Sequence, residues 1–320
     1  MNGTAFLCSG QGSQNSDMFD LLHDSPGALQ IFEAAAKILK DKDPRDLVKE
    51  TTDEAIHTNR LGQILCCTQA MAAWSVLSPC APKPWVLAGY SVGELAAWGV
   101  AGIFNPEEVL QLTAKRAELM DDATLEPSGL AAVRGLTREA LLPLCKQHGV
   151  YIAIINGADH FLVGGTNQAL VDFARAAKAH GAHQAKTILV AVPSHTPFLK
   201  AASNGFRVVL EESRHKREMP AEVRLLSGID GGPVFDIKKG LENLALQIEQ
   251  TVDWAACMEA CRAARVTRVL ELGPGNALIR MFNEATPDFD AHSFSEFRSL
   301  SGVKHWLSGS PNLKSGAEKS

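Results

Sequence analysis

The stretch AGYSVGELAAWGVAG, residues 88–102, sets a serine between two glycines. The segment WVLAG (85–89) predicts a strand before Ser91, and residues 92–100 predict a helix after it. In a Gly-x-Ser-x-Gly turn, the glycines let the serine hydroxyl project toward a ligand, and N–H groups at the helix start can bind an oxyanion. The same residues also fit a serine that caps the helix. A nucleophilic Ser91 therefore requires a base elsewhere in the chain.

The composition of the 320-residue chain argues against several classes of protein. A net charge of −5 is unlike a surface that coats nucleic acid, and no apolar run approaches the roughly 20 residues of a membrane helix. We therefore expect neither nucleic acid nor membrane among its partners, and the N-terminal residues do not resemble a signal peptide. Seven scattered cysteines indicate reduced thiols and a cytoplasmic protein. Cys257 and Cys261 have no partner at zinc-ligand spacing, so no metal site is predicted.

Apolar segments and amphipathic segments alternate along the chain, which predicts an α/β fold with a parallel sheet. The predicted strands outside the central region are 4–10, 85–89, 222–228 and 267–273. The predicted helices there are 26–40, 61–77, 92–100, 105–122, two within 238–264, and 276–285. In the helix at 105–122, Asn105 is the expected N-cap and is followed by a proline.

The central region has a different pattern. Residues 128–190 predict strand, helix, strand, strand, helix, strand, which is the order of a ferredoxin-like unit. The sequence thus predicts a large α/β-hydrolase-like domain, formed by 1–124 and 191–300, with a ferredoxin-like subdomain inserted over 125–190. The C-terminal segment 301–320 is rich in Gly, Ser and Lys toward its end, and that end is expected to be disordered.

His195 is the histidine best placed to act as the base. It lies in LVAVPSHTPFL (189–199), after a predicted apolar strand and between Pro193 and Pro197, which stiffen the loop. The pattern also fits a structural loop histidine. Arg116, in TAKRAEL (113–119), likewise fits either a guanidinium that binds a carboxylate or a surface arginine on a charged helix face.

Several motifs occur together, and their order carries more information than any one of them. They are GQGSQ (10–14), the Ser91 turn followed by Glu94, KRAELM (115–120), VPSH (192–195) and ELGPG (271–275). With these motifs the chain resembles, over nearly its whole length, the malonyl-CoA:acyl carrier protein transacylase family. These are the acyltransferases of fatty-acid and polyketide synthesis.

The resemblance implies a set of catalytic roles. Ser91 would be the nucleophile and His195 its base. Gln11 and the backbone N–H of Val92 would form the oxyanion hole. The reaction would carry a malonyl group from malonyl-CoA to the phosphopantetheine-type thiol of an acyl carrier protein, with no bound cofactor.

The resemblance also implies how the acyl group is held. Arg116 would bind the free carboxylate of the substrate, because a guanidinium pairs with a carboxylate in two places. Gln63 and Asn156 match polar positions that line the pocket of the family. Gln247 falls where the family uses a backbone carbonyl to orient the histidine.

The chain departs from the family at two places, and other functions stay open. Tyr90 stands where the family commonly has His, and Cys8-Ser9 stands where Phe or Pro is usual. GYSVGELAAW together with SHTP is closer to the transacylase subunit of bacterial malonate decarboxylase, which acts on its own carrier protein. A serine esterase or thioesterase of the α/β-hydrolase type would share Ser91 and His195, but it would need an acidic residue between them in chain order. A non-catalytic subunit that only docks a carrier protein is the third alternative.

Overall fold

The computed structural model describes residues 3–221, 223–285 and 289–309. These residues form ten strands: β1 (Gly3–Cys8), β2 (Val86–Gly89), β3 (Ser128–Arg134), β4 (Tyr151–Ile155), β5 (His160–Thr166), β6 (Gln184–Thr187), β7 (Arg224–Leu225), β8 (Val252–Asp253), β9 (Val266–Leu272) and β10 (Asp290–Ser293). They also form thirteen α-helices: α1 (Leu29–Ile38), α2 (Pro44–Glu50), α3 (Asp53–Ile56), α4 (Asn59–Leu77), α5 (Gly93–Val100), α6 (Pro106–Ala123), α7 (Arg138–His148), α8 (Asn167–Ala179), α9 (Lys200–Glu212), α10 (Ile237–Leu246), α11 (Trp254–Ala263), α12 (Ala277–Ala285) and α13 (Leu300–Ser308). Short 3-10 helices occur at Asp20–Leu22, Pro26–Ala28, Pro197–Leu199 and Phe294–Glu296.

The first sheet is parallel throughout and has the order β10-β9-β1-β2-β7. Its central strand β1 is an apolar run whose residues after Gly3 are all buried, as expected of a strand covered on both faces. One face packs against helices that include the buried α4, and the other packs against α11 and α12. The α/β fold with a parallel sheet predicted from the sequence is therefore confirmed.

The second sheet has the order β6-β3-β5-β4-β8. Strands β3 to β6 pair antiparallel to one another, with α7 and α8 connecting them and packed on one face. The opposite face shares an apolar cluster with the first sheet. Strand β8 pairs parallel to β4 and comes from a distant part of the chain, which the sequence analysis did not foresee.

Local sequence patterns predicted the positions of several helices accurately. The predicted helix at 61–77 is α4, and nearly all of its residues are buried, as its continuous apolar pattern suggested. Helix α6 begins after Asn105, whose side chain accepts a hydrogen bond from the N–H of Glu108 at 2.8 Å. This is the N-cap interaction expected at that position.

Two strand predictions were too long. The strand predicted at 222–228 is β7, which is only Arg224–Leu225; residue 222 lies outside the described residues. The strand predicted at 183–190 is β6, which ends at Thr187; the N–H of Ile188 still donates to Leu130 of β3, and the N–H of Val190 then donates to the carbonyl of Ile188 in a tight turn. His195 therefore follows a loop and not a strand.

The C-terminal segment contains α13 and is described as far as residue 309. The predicted disorder at its end falls on residues 310–320, which lie outside the described residues. Within the parts of the chain that are described, no helix combines the length and the apolar character needed to cross a membrane.

Candidate active site

Ser91 lies on a sharp turn between β2 and α5, which packs too closely to admit side chains at its flanking glycines. A Cβ atom at Gly89 would lie 2.1 Å from the N atom of Glu94, and one at Gly93 would lie 2.1 Å from the carbonyl oxygen of Cys8. Ser91 itself has a φ of 56°, a left-handed conformation that costs free energy for a residue other than glycine. The N-cap of α5 is Val92, with no side-chain cap, so Ser91 does not cap this helix.

The hydroxyl of Ser91 points at His195. The distance from Ser91 Oγ to His195 Nε2 is 2.8 Å, and His195 Nδ1 lies 2.6 Å from the carbonyl oxygen of Gln247. A carbonyl only accepts hydrogen bonds, so Nδ1 carries the proton and Nε2 is left to accept from the serine. His195 is also held through its backbone, because its N–H donates to the carbonyl of Ile248 at 2.9 Å, and its φ is 61°.

Burial keeps the imidazole neutral. His195 is 1% exposed, and burial, followed by the nearby charge of Arg116, lowers its pKa to about 3. A neutral imidazole with a free Nε2 is the form that can take a proton from a serine. The structure thus places His195 in contact with Ser91, and the backbone of the loop that contains His195 fixes its position.

Arg116 is fully buried beside the two residues, which excludes the surface interpretation. Its Nη1 donates to Gln63 Oε1 at 2.6 Å, and its Nη2 donates to Gln247 Oε1 at 3.3 Å and lies 3.5 Å from Ser91 Oγ. Burial lowers the pKa of Arg116 to about 10, so the guanidinium remains charged at neutral pH. Gln63 is oriented in turn by Asn59, whose Oδ1 accepts from Gln63 Nε2 at 2.7 Å.

The other residues of the expected site lie around this centre. Asn156 follows β4, and its Oδ1 accepts from the hydroxyl of Tyr90 at 3.1 Å, so the residue before Ser91 is tied to the second sheet. Gln11 Nε2 donates to the carbonyl of Asn59 at 3.2 Å. Within the described part of the chain, neither Asn156 nor Gln11 hydrogen-bonds directly to Ser91 or His195.

No group of three or more potential metal ligands occurs among the described residues. Cys257 and Cys261 are buried free thiols in α11. Burial raises the pKa of both, which favours the protonated form over the thiolate that binds zinc.

Comparison with known proteins identifies the family. The acyl transferase domain matches residues 5–230 of this chain. The chain belongs to the acyl transferase family. Over 278 residues it is 30% identical to the malonyl CoA-acyl carrier protein transacylase of Mycobacterium bovis, covering 86% of this chain and 90% of that protein. Over 315 residues it is 27% identical to the protein of the same description from Haemophilus influenzae, covering 96% and 100% of the two chains.

Solved structures agree with this acyltransferase fold. One similar structure is a malonyl-transacylase in complex with a type II PKS acyl-carrier protein. Its TM-score with this acyltransferase is 0.87 at 25% identity, over 96% of this chain and 99% of the other.

One residue of the acyltransferase site received no role from the sequence beyond its place in a motif. Glu94 is 1% exposed, and its Oε2 accepts from the N–H of Gly228 at 3.0 Å and from Nε2 of Gln247. Burial raises its pKa to about 7. A usable signal was present, because Glu94 is the only charged residue of α5 and an acidic residue in so apolar a helix must have buried partners.

Proposed function

We propose that this acyltransferase moves a malonyl group from malonyl-CoA to the phosphopantetheine-type thiol of an acyl carrier protein, through a malonyl ester on Ser91. The support is the contact between Ser91 and His195 together with the malonyl CoA-acyl carrier protein transacylases to which the chain is similar. The complex of a similar transacylase with an acyl-carrier protein supports the choice of acceptor.

In the first half-reaction, Ser91 Oγ attacks the thioester carbonyl while His195 Nε2 takes the hydroxyl proton. The N–H groups of Gln11 and Val92 are the proposed donors to the oxyanion. When the C–S bond breaks, the imidazolium returns the proton to the coenzyme A thiolate, and malonyl-serine remains. In the second half-reaction the carrier thiol gives its proton to His195 and attacks the ester, which restores the serine hydroxyl.

The observation that carries the malonyl assignment is the state of Arg116. Its guanidinium is buried and charged and lies beside Ser91, and among the described residues it hydrogen-bonds only to the amide oxygens of Gln63 and Gln247 and to the serine hydroxyl. It forms no ion pair with a carboxylate of the described residues. We propose that the free carboxylate of the malonyl group provides that partner, with Gln63 and Asn156 lining the pocket.

The structure offers the esterase alternative less support. A hydrolase of the serine–histidine–acid type places a carboxylate on Nδ1 of the histidine. Here that atom binds the backbone carbonyl of Gln247, and we propose that this carbonyl fixes the tautomer of His195 in place of an acid. The other alternative, the transacylase subunit of malonate decarboxylase, would carry out the same transfer reaction on its own dedicated carrier protein.

The test is transfer followed by intact-mass measurement. The protein is mixed with malonyl-CoA alone and then with a phosphopantetheinylated carrier protein. We expect a malonyl mass on the enzyme in the first step and on the carrier in the second. Sustained release of malonate without any thiol acceptor would favour the esterase, and the absence of any adduct would favour a subunit that only docks a carrier.

We extend the proposal to the architecture. The order of β3, α7, β4, β5, α8 and β6, with sheet neighbours β6-β3-β5-β4, supports a ferredoxin-like subdomain over 125–190. The remaining parts, 1–124 and 191–300, would then form the α/β-hydrolase-like domain.

A cytoplasmic location is supported by the seven free cysteines. The net charge of −5 supports the absence of a nucleic-acid partner.

A further inference from the structure

Glu94 is a buried carboxylate that the transfer steps described above do not use. It lies in the first turn of α5, three residues after Ser91, in a helix whose other members are apolar or glycine. An acidic side chain in such a place costs free energy unless its partners compensate. Those partners therefore indicate its purpose.

The side chain of Gln247 joins Glu94 to Arg116. Gln247 Nε2 donates to Glu94 Oε2, and Gln247 Oε1 accepts from Arg116 Nη2 at 3.3 Å. The carboxylate on α5 and the guanidinium on α6 are thus connected through one amide and do not form a direct ion pair. The same residue binds His195 through its backbone carbonyl.

The chemistry of the two charged groups fixes the direction of this amide. Glu94 Oε2 accepts from the N–H of Gly228 and from Gln247, so it binds the NH2 end of the amide, and a guanidinium only donates, so it binds the oxygen. The reversed amide would set NH2 against the guanidinium and oxygen against the carboxylate. Glu94 and Arg116 together therefore fix the orientation in which the oxygen of Gln247 faces Arg116.

The arrangement also keeps the carboxyl group of Glu94 out of direct contact with the guanidinium of Arg116. A carboxylate in direct contact with the guanidinium would compete with that of the substrate at a very high effective concentration. The intervening amide avoids this competition.

We propose that Glu94 is a positioning residue of the transfer reaction. Acting through Gln247, it holds Arg116 oriented toward the acyl group on Ser91 and unoccupied until the substrate supplies a carboxylate. The inference rests on the proposed malonyl transfer and assigns Glu94 no contact with the reacting atoms.

The first test compares Glu94→Gln with Glu271→Gln, a matched change at a second buried carboxylate that contacts neither Arg116 nor Gln247. An amide at position 94 can present NH2 or oxygen to Gln247, so only Arg116 still favours the original orientation of Gln247. We expect the ratio of kcat/KM for malonyl-CoA to that for acetyl-CoA to fall about tenfold in Glu94→Gln, with the loss in KM for malonyl-CoA. The ratio in Glu271→Gln should equal that of the wild type.

The second test exchanges the two groups in the double variant E94Q/Q247E. The new amide at 94 can accept from Gly228 and donate to the new carboxylate at 247, which now contacts Arg116 directly. The number of hydrogen bonds is retained, so this variant is informative even if Glu94→Gln fails to fold. We expect the malonyl-to-acetyl ratio to fall about a hundredfold, because the guanidinium is already occupied.

The outcomes separate the two proposals. A wild type that takes no malonyl group from malonyl-CoA overturns the proposed function and this inference with it. A normal wild type beside a Glu94→Gln protein of unchanged ratio and lowered Tm shows that Glu94 only stabilises the fold, and overturns this inference alone. An exchanged variant that keeps the wild-type ratio overturns it as well.

Discussion

Glu94 and Glu271 are buried carboxylates near the ends of β2 and β9, the two strands that flank β1. Burial raises the pKa of each to about 7. Glu271 accepts from the hydroxyl of Ser9 at 2.7 Å and from the N–H of Ile279 at 3.0 Å, so it ties β9 to β1 and to the first turn of α12. Glu94 instead accepts a hydrogen bond from Gln247, which in turn accepts one from Arg116. Burial and pKa are the same at both sites, and only the group at the other end of the hydrogen-bond chain distinguishes them.

Arg116 and Arg268, the two arginines buried in the described part of the chain, show the same contrast. Arg268 on β9 lies 3.4 Å from Asp290 and donates to the carbonyl of Leu307 at 2.8 Å. Its charge is matched by a carboxylate of the protein, whereas the side-chain partners of Arg116 are neutral. Arg268 thus has a carboxylate partner within the protein, whereas Arg116 has only neutral hydrogen-bond partners among the described residues.

The largest expected difference between the two regions concerns two serines, Ser91 after β2 and Ser9 after β1. Ser91→Ala should abolish the malonyl adduct, because no other hydroxyl contacts His195 in the described structure. Ser9→Ala, which removes a hydroxyl bound to Glu271, should leave the adduct intact at some cost in stability. Intact mass after incubation with malonyl-CoA measures both. A wild-type rate of labelling in Ser91→Ala would refute the nucleophile.

Histidines provide the second contrast. His195→Ala should slow acylation by about two orders of magnitude or more, which is what a positioned general base contributes. His292, on β10 of the Glu271 side, is the control, and His292→Ala should leave the rate unchanged. Rapid-quench measurement of the acyl-enzyme gives both rates. A loss below tenfold in His195→Ala would mean that this residue only shapes its loop.

For the arginines we expect opposite consequences. Arg116→Ala should lower the malonyl-to-acetyl ratio of acylation efficiencies by about two to three orders of magnitude, since a buried charge pair broken on one side costs roughly 3–5 kcal/mol. Arg268→Ala should lower the free energy of unfolding by a similar amount and leave the ratio unchanged. Competition between the two acyl-CoA substrates and urea unfolding separate these effects. An unchanged ratio in Arg116→Ala would remove the basis for dicarboxylate specificity.

The smallest expected effect is the pH dependence of the unfolding free energy that Glu271 contributes. The folded pKa of Glu271 is about 7, above the ordinary value of 4.5, so its contribution to stability is complete below pH 4.5 and is lost as pH rises through 7. Glutamine does not titrate. The unfolding free energy of the wild type should therefore fall relative to Glu271→Gln by on the order of 2–3 kcal/mol between pH 4.5 and 8. Urea titrations across this range test the slope, and a constant difference would contradict it.

Local patterns in the sequence were enough for the elements that carry the site. The Gly-x-Ser-x-Gly turn, the continuous apolar pattern of α4 and the cap at Asn105 depend on neighbouring residues, and the structure has all three. Family resemblance rather than periodicity brought Arg116 and His195 together, because each pattern alone fitted two interpretations.

Long-range pairing could not be predicted from such patterns. Strand β8 has two residues, and its pairing with β4 depends on a fold that brings positions about a hundred residues apart together. The bond between Glu94 and Gln247 joins residues 153 positions apart. The strand before His195 was predicted too long because hydrophobicity does not reveal the turn at Val190.

Ser91 and His195 share one further property, the left-handed backbone described above. Such a conformation costs on the order of 1–3 kcal/mol for a residue with a side chain, and glycine adopts it with little cost. At Ser91, whose side chain is small, glycine would relieve this cost, whereas at His195 it would also remove a buried imidazole and its hydrogen bond to the carbonyl of Gln247. Selection for thermal stability alone would therefore favour glycine at position 91, and with it the loss of the proposed nucleophile.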